Sequence, residues 1–283
     1  MTRLDVADLR APVDAGVLAS LRADTRLQWR EPLERPDLER IEAWLATRPR
    51  AAIRLYGSAA AQAGVLAQWP EFGRLEIAAW AIDAMIAPIG VRALAVDGVP
   101  ADLRRLASVF PALETLAIVA RGAVVDAGAI ATAQTLKRVS IAAGKITHAQ
   151  SLTDMPELVA LEIRDATVDD ADAVLQTNAV ALRLSKIADV RWLDALAERS
   201  RLRTLALADL LHLQSLAPIA RLRALDCLEL TGLWQFGVGD AEFIIGMPSL
   251  RFLRIDIGGH RKNVEIYKRS NTLLPPAFEL ATF

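Results

Sequence analysis

The chain has 283 residues, 53% of them hydrophobic, with 33 basic and 34 acidic side chains and a formal charge of −1. A chain of this length buries a large core, and its near-zero charge gives no electrostatic ground for binding duplex nucleic acid or an anionic membrane. One cysteine, Cys227, excludes an internal disulfide framework, and the longest stretch free of Asp, Glu, Lys and Arg, the 16 residues Leu55–Pro70, is too short and too polar to span a bilayer.

The N-terminal ten residues, MTRLDVADLR, are charged where a secretory signal would be apolar, which points to a cytoplasmic protein. Residues 1–49 are dense in charge. Leu38, Ile41, Trp44 and Leu45 share one helical face, with Pro36 at a helix start and Pro49 beyond its end. This segment reads as an N-terminal helical cap.

From residue 50 a six-residue unit recurs, apolar at its first, fourth and sixth positions. It runs from RAAIRL at 50–55 and FGRLEI at 72–77 through LETLAI at 113–118 and LVALEI at 158–163 to LRFLRI at 250–255. The fourth positions are Ile53, Leu75, Leu94, Leu116, Val139, Leu161, Leu182, Leu205, Leu228 and Leu253, a step of about 22 residues. Of the apolar slots only the first, Arg50, is filled otherwise. In phase with these hexads, Trp69-Pro70, Phe110-Pro111, Met155-Pro156 and Met247-Pro248 each stand two residues ahead of one. Proline holds the residue before it extended, which suits a chain turning back into a strand with a large apolar residue kept inside. Residues 258–283 leave the pattern and read as a C-terminal cap whose basic group, Arg261, Lys262, Lys268 and Arg269, forms a solvated face.

The hexads over residues 50–257 resemble the leucine-rich repeat family. The resemblance implies an α/β fold: a right-handed solenoid with a concave parallel sheet of about ten short strands and helical or 3₁₀ segments on the convex side. One departure is clear. The family's asparagine, three residues after the hexad, is replaced by Trp80, Val99, Arg121, Gly144, Ala166, Ile187, Leu210, Leu233 and Gly258. The absent asparagine ladder implies an irregular, bacterial-type subtype.

Few residues carry chemistry. His212 and His260 occupy equivalent positions two repeats apart, about 10 Å by strand spacing, too far to share a zinc with bonds of about 2 Å. His148 lies in a different repeat from either. Ala143-Gly144-Lys145 lacks the turn glycine and the hydroxyl of a phosphate-binding loop. Cys227 has no histidine at adjacent-strand spacing. No enzyme, metal, cofactor or small-molecule ligand is expected.

If the hexads are strands, the third and fifth positions and the residue after the sixth face away from the core. Three opposite charges then meet on neighbouring strands: Arg54–Glu76, Glu162–Arg183 and Glu229–Arg254. Mid-chain, small residues around Thr115, Ala117 and Val119 lie beside a charged group made of Arg138, Glu162, Arg164 and Arg183. The candidate contact set for a protein partner is Asp97, Thr115, Ala117, Val119, Arg138, Ser140, Glu162, Arg164 and Arg183. Small side chains admit a partner's backbone close to the sheet, and guanidinium groups grip carboxylates. The expected function is non-catalytic protein binding through the concave face. An inhibitor or immunity-type protein, or a bacterial effector acting in a host cell, is the alternative.

Overall fold

All ten hexad markers are fully buried, from Ile53 to Leu253, because each sits at the centre of a strand whose neighbours close over it. The computed structural model describes residues 5–69, 72–199, 201–257 and 259–270, with the side chains of Ala197, Glu198, His260 and Lys262 outside that description. The described strands are β1 (Val6–Asp8), β2 (Arg26–Trp29), β3 (Ala52–Leu55), β4 (Phe72–Ala78), β5 (Val91–Asp97), β6 (Thr115–Asp126) and β7 (Arg138–Thr147). They continue as β8 (Ala160–Arg164), β9 (Thr167–Val168), β10 (Ala181–Ser185), β11 (Thr204–Ala208), β12 (Cys227–Thr231) and β13 (Phe252–Asp256). Between them run short helices, α1 (Ala15–Ser20), α2 (Arg35–Leu45), α3 (Ala79–Asp83), α4 (Arg105–Val109), α5 (Ala127–Ile130) and α6 (Ala171–Gln176), together with 3₁₀ segments such as Gly57–Gln68. The last described element is α7 (His260–Ser270). Parallel strands joined by helical and 3₁₀ returns are the α/β repeat architecture that the hexads imply.

The chain divides into two compact units, one of residues up to Ala120 with Thr132–Leu136, the other of Arg121–Ala131 with the chain from Lys137 onward. In the first unit β1 to β5 and the start of β6 pair in sequence order, all parallel. In the second, β7, β8, β10, β11, β12 and β13 do the same, and β9 adds to the far end of β7. Register follows the hexads position for position: Arg54 faces Glu76 across β3 and β4, and Glu162 faces Arg183 across β8 and β10. A slip of one residue would turn every leucine outward.

Two strands come before the first hexad. Leu27 of β2 pairs with Ile53, so β2 continues the register toward the N-terminus. Asp24 occupies what would be its first apolar slot, leaving only Leu27 and Trp29 to signal it. The expected helix is α2, with Ile41, Trp44 and Leu45 buried and Leu38 half-buried. Asp37, buried in its first turn, accepts from the Val13 N–H at 2.9 Å and from Arg40 at 2.6 Å. Of the expected C-terminal cap, α7 is described; residues 271–283, like Pro70 and Gly258, lie outside the described residues. Trp69, Phe110, Met155 and Met247 are all buried.

Without an asparagine ladder, other groups tie successive coils together. In six repeats the second residue beyond the hexad takes the left-handed conformation: Gly57, Gly98, Asp165, Lys186, Asp209 and Gly232. In four of these the N–H donates to the next coil: Gly98 to Val119, Asp165 to Ser185, Lys186 to Ala208 and Asp209 to Thr231, at 2.9–3.0 Å. Side chains supply further ties. Gln235 donates to the Leu210 carbonyl at 2.7 Å, Gln62 exchanges two bonds with the Leu33 backbone, and Asp169 accepts from the N–H groups of His148 and Ala149. On the return side, Arg105 reaches the carbonyls of Asp83 and Met85, and Arg199 those of Leu175 and Ala179. A guanidinium there satisfies the carbonyls that a short helix leaves unpaired and matches its dipole. Burial lowers the pKa of Arg199.

Gly144 explains itself by packing. A Cβ there would lie 2.6 Å from the Gly122 carbonyl carbon and 2.9 Å from its oxygen, where only backbone could give way. Gly144→Ala should therefore cost about 2 kcal/mol or more of stability. Urea unfolding checks this, and an unchanged midpoint would refute the close approach.

Candidate functional site

The predicted contact residues fall on both units, and each part stands in its own surroundings. In the first unit, Asp97 at the end of β5 is exposed and Val119 on β6 is partly so, whereas Thr115 and Ala117 are buried. Asp97 and Val119 are accessible at this surface, and Thr115 and Ala117 lie beneath it.

In the second unit the structure brings Ser140, Glu162 and Arg183 together. The buried Ser140 hydroxyl donates to Glu162 Oε2 at 2.8 Å, and Arg183 Nε lies 3.6 Å from Glu162 Oε1. These three satisfy one another and leave little for a partner to gain. Arg138 and Arg164 are different. Arg138 is exposed, Arg164 is half-buried, and no carboxylate lies within ion-pair distance of either among the described residues. Arg164 also carries a buried Nε–H without an acceptor. Arg138 stands four residues down β7 from Ala142, which pairs with Arg164, a separation of about 13 Å along the strands.

The other two predicted charge pairs form as well, Arg54–Glu76 at 3.8 Å and Arg254–Glu229 at 3.9 Å. Their lengths are those of weak surface pairs, each contributing about 0–1 kcal/mol. Glu229 is nevertheless buried, and its Oε1 has no hydrogen-bond partner. It lies on β12 with Cys227. Burial, then the nearby carboxylates of Glu229 and Asp226, push the Cys227 thiol up to about 11, against a smaller opposing pull from Arg254. A thiol so placed stays protonated at neutral pH, and it is the thiolate that acts as nucleophile. Native Cys227 should resist iodoacetamide at pH 8 and react once the chain is unfolded in urea. Rapid native alkylation, followed by mass spectrometry, would contradict this environment.

His148 meets a carboxylate that sequence spacing did not single out. Its Nδ1 lies 2.9 Å from Asp126 Oδ1, and Asp126 also caps α5 by accepting from the N–H groups of Gly128 and Ala129. His148 itself occupies a left-handed position with φ 54°. No hydroxyl or thiol is hydrogen-bonded to His148 among the described residues. Burial alone would raise the Asp126 carboxyl; the bonds from His148, Ala129 and Gly128 outweigh it and hold the group below its ordinary value. A depressed carboxyl contributes stability that is present above its unfolded pKa and lost as pH falls through the folded one. His148→Ala should move Asp126 back up toward the usual carboxylate range, read by carboxyl-carbon NMR titration, and shift the acid limb of unfolding to higher pH. An unmoved Asp126 would show that the backbone caps alone set its acidity.

His212 lies in a cleft of about 440 Å³ at the strand ends, lined also by Lys186, Ile187, Ala188, Asp209 and Leu211. The side chains of His260 and Lys262 are outside the described residues. Among the basic residues expected on the C-terminal cap, Arg269 pairs with Glu242 at 2.9 Å and with Glu265 at 3.6 Å. No helix is long and apolar enough to cross a membrane among the described residues.

No family model matches the chain, and no curated protein matches it in sequence. Among solved structures the chain is similar to an internalin of Listeria monocytogenes, 14% identical, with 88% of this chain and 77% of that chain covered and a TM-score of 0.44.

Proposed function

We propose that the protein is a non-catalytic binding module that holds an acidic segment of a protein partner on the sheet face of its second unit. The observation that carries this reading is the pair Arg138 and Arg164, two guanidinium groups on neighbouring strands with no carboxylate at ion-pair distance among the described residues. Beside them, Glu162 is already engaged by Ser140 and Arg183, so it does not compete for either arginine. Each arginine offers five N–H donors in a planar fork matched to a carboxylate. The roughly 13 Å between them along the strands suits two acidic side chains on one extended segment, about four residues apart.

The surface is laid on regular strands, whose positions the core fixes, so the backbone beneath both arginines needs no rearrangement on binding. Ser140 and Ala142 between the arginines are buried, so the arginines themselves are the groups this face presents. With its thiol protonated, Cys227 offers no competing nucleophilic chemistry.

The test is capture of partners from the native organism's lysate by wild type and by Arg138→Glu combined with Arg164→Glu, with equal melting temperatures confirmed first. One dominant partner whose affinity falls by about tenfold or more in the variant is the expected result. Its identity then separates an inhibitor from a scaffold. A partner set that survives both reversals would overturn the reading.

A further inference from the structure

Three glutamates stand at the fifth hexad position, Glu76, Glu162 and Glu229, and they are enclosed by different means. Glu76 on β4 is met by three arginines: Arg26 Nη1 donates to both of its oxygens at 3.1 Å, Arg74 Nη2 lies 2.9 Å from Oε1, and Arg54 Nε lies 3.8 Å from Oε2. Glu162 is met by Ser140 and Arg183. With these partners beside them, the Glu76 and Glu162 side chains are each 13% exposed. Glu229 on β12 has a single cation, Arg254, at 3.9 Å, which is itself 46% exposed. Yet the Glu229 side chain is only 5% exposed, and its buried Oε1 accepts no hydrogen bond among the described residues. The glutamate with the fewest partners is the most enclosed.

Its neighbours on the sheet face do not account for this. Ala206 of β11 and Arg254 of β13 stand opposite it, and Cys227 and Thr231 flank it along β12. Ala206, Cys227 and Thr231 are all shorter than a glutamate, and short side chains leave a longer neighbour outermost. The enclosure nevertheless spreads over the patch, since Ala206, Ala208 and Cys227 are buried too. A carboxylate oxygen withdrawn from water without a donor is costly, so the face of β11 and β12 is covered rather than collapsed. The shielding is present in a single chain, which means that the cover belongs to the chain itself.

Among the stretches outside the described residues, only 271–283 follows β13 and is long enough to cross two strands. It leaves from α7, which is fastened to the outer edge of β13: the Ile255 N–H donates to Tyr267 Oη at 2.7 Å and the Ile257 N–H to Asn263 Oδ1 at 3.1 Å. Strand spacing puts β11 about 10 Å from β13, a distance that about three extended residues span. The stretch, NTLLPPAFELATF, carries five large apolar side chains, Leu273, Leu274, Phe278, Leu280 and Phe283, against one charged one, Glu279. A Pro-Pro pair such as Pro275-Pro276 disfavours a helix and favours extended chain. Apolar side chains in need of burial thus follow directly after a patch in need of cover.

We propose that residues 271–283 dock as an extended segment on the sheet face of β11 and β12, with Leu273 and Leu274 over Ala206 and Cys227 and Glu229 beneath. The segment is then a ligand built into the chain, held at the high local concentration that a short tether gives. Arg138 and Arg164 stand on β7 and β8, on the far side of β10, and nothing in this proposal depends on them.

Cys227 is the one cysteine of the chain and reports on the patch. Burial is the largest of the causes that raise its thiol pKa, so uncovering it both opens access and restores thiolate. Native labelling by iodoacetamide at pH 8, read by mass spectrometry, compares the full chain with a chain ending at Ser270. The shortened chain should label faster by about tenfold or more. A blocked peptide of residues 271–283 added to it should slow labelling saturably, and a scrambled peptide of the same composition should not. Leu273→Asp combined with Leu274→Asp in the full chain, with an unchanged circular dichroism spectrum, gives the same reading without truncation and decides the matter if the shortened chain folds poorly. Equal labelling of full and shortened chains, equal slowing by the scrambled peptide, or undiminished protection in the double variant would each overturn the assignment. The lysate test on Arg138 and Arg164 is read independently, so the two proposals stand or fall separately.

Discussion

A parallel strand of four or five residues cannot hold itself in place. Each leaves a row of N–H and C=O groups along its edge and a pair of apolar residues on one face, and both are satisfied only when the next coil arrives in register. Everything else in this protein depends on that requirement. The step of about 22 residues is the length of chain that leaves a strand, covers the core and returns alongside. The buried markers from Ile53 to Leu253 are its result. Because register is held by leucines on one face, the residues on the other face are placed at fixed intervals, whatever their identity. That is why three charge pairs expected from the columns alone meet across neighbouring strands.

The turns show how much freedom the same requirement leaves. A ladder of asparagines is one way to satisfy the loop backbone between coils, and this chain uses others. Backbone N–H groups at left-handed positions reach the next coil directly. Amide side chains of Gln62 and Gln235, carboxylates such as Asp169, and the guanidiniums of Arg105 and Arg199 take up what remains. What physics demands is that buried backbone groups be paired. It does not demand that one residue type do so at one offset, and an arginine or glutamine reaches the same carbonyl from farther along the chain. Lys186 and the aspartates at left-handed positions accept a modest conformational cost, offset by the bond each N–H then makes.

The exposed sheet face divides into charges that are answered within the protein and charges that are not. Ser140, Glu162 and Arg183 form one connected set, and Glu76 with Arg26, Arg74 and Arg54 forms another. Arg138 and Arg164 stand beside the first of these sets with donors to spare, whereas Arg54 is paired with Glu76. An arginine held by strand geometry next to an already satisfied carboxylate is positioned without being neutralised, which is the condition for recognising an anion from outside.

The amino-acid sequence by itself determined the strands, their order and the columns on their faces, because the hexad is a local code: three apolar positions at fixed spacing state both period and orientation. It also marked Trp69, Phe110, Met155 and Met247 as inward residues through the prolines that follow them. It did not disclose β2, whose code is reduced to Leu27 and Trp29 after the polar Asp24, nor the ties made by Gln62, Gln235, Arg105 and Arg199, whose partners are backbone carbonyls with no signature in sequence. Nor could it rank the face. The columns present Arg54 and Arg74 as residues of one kind, and Ser140 as a surface contact. Tertiary structure decided that Arg74 is buried against Glu76 while Arg54 stays half-exposed over the Tyr56 ring, and that Ser140 is enclosed by its bond to Glu162. Charge is a property of a residue, but whether that charge is already answered depends on distances across strands, and only the folded chain sets those.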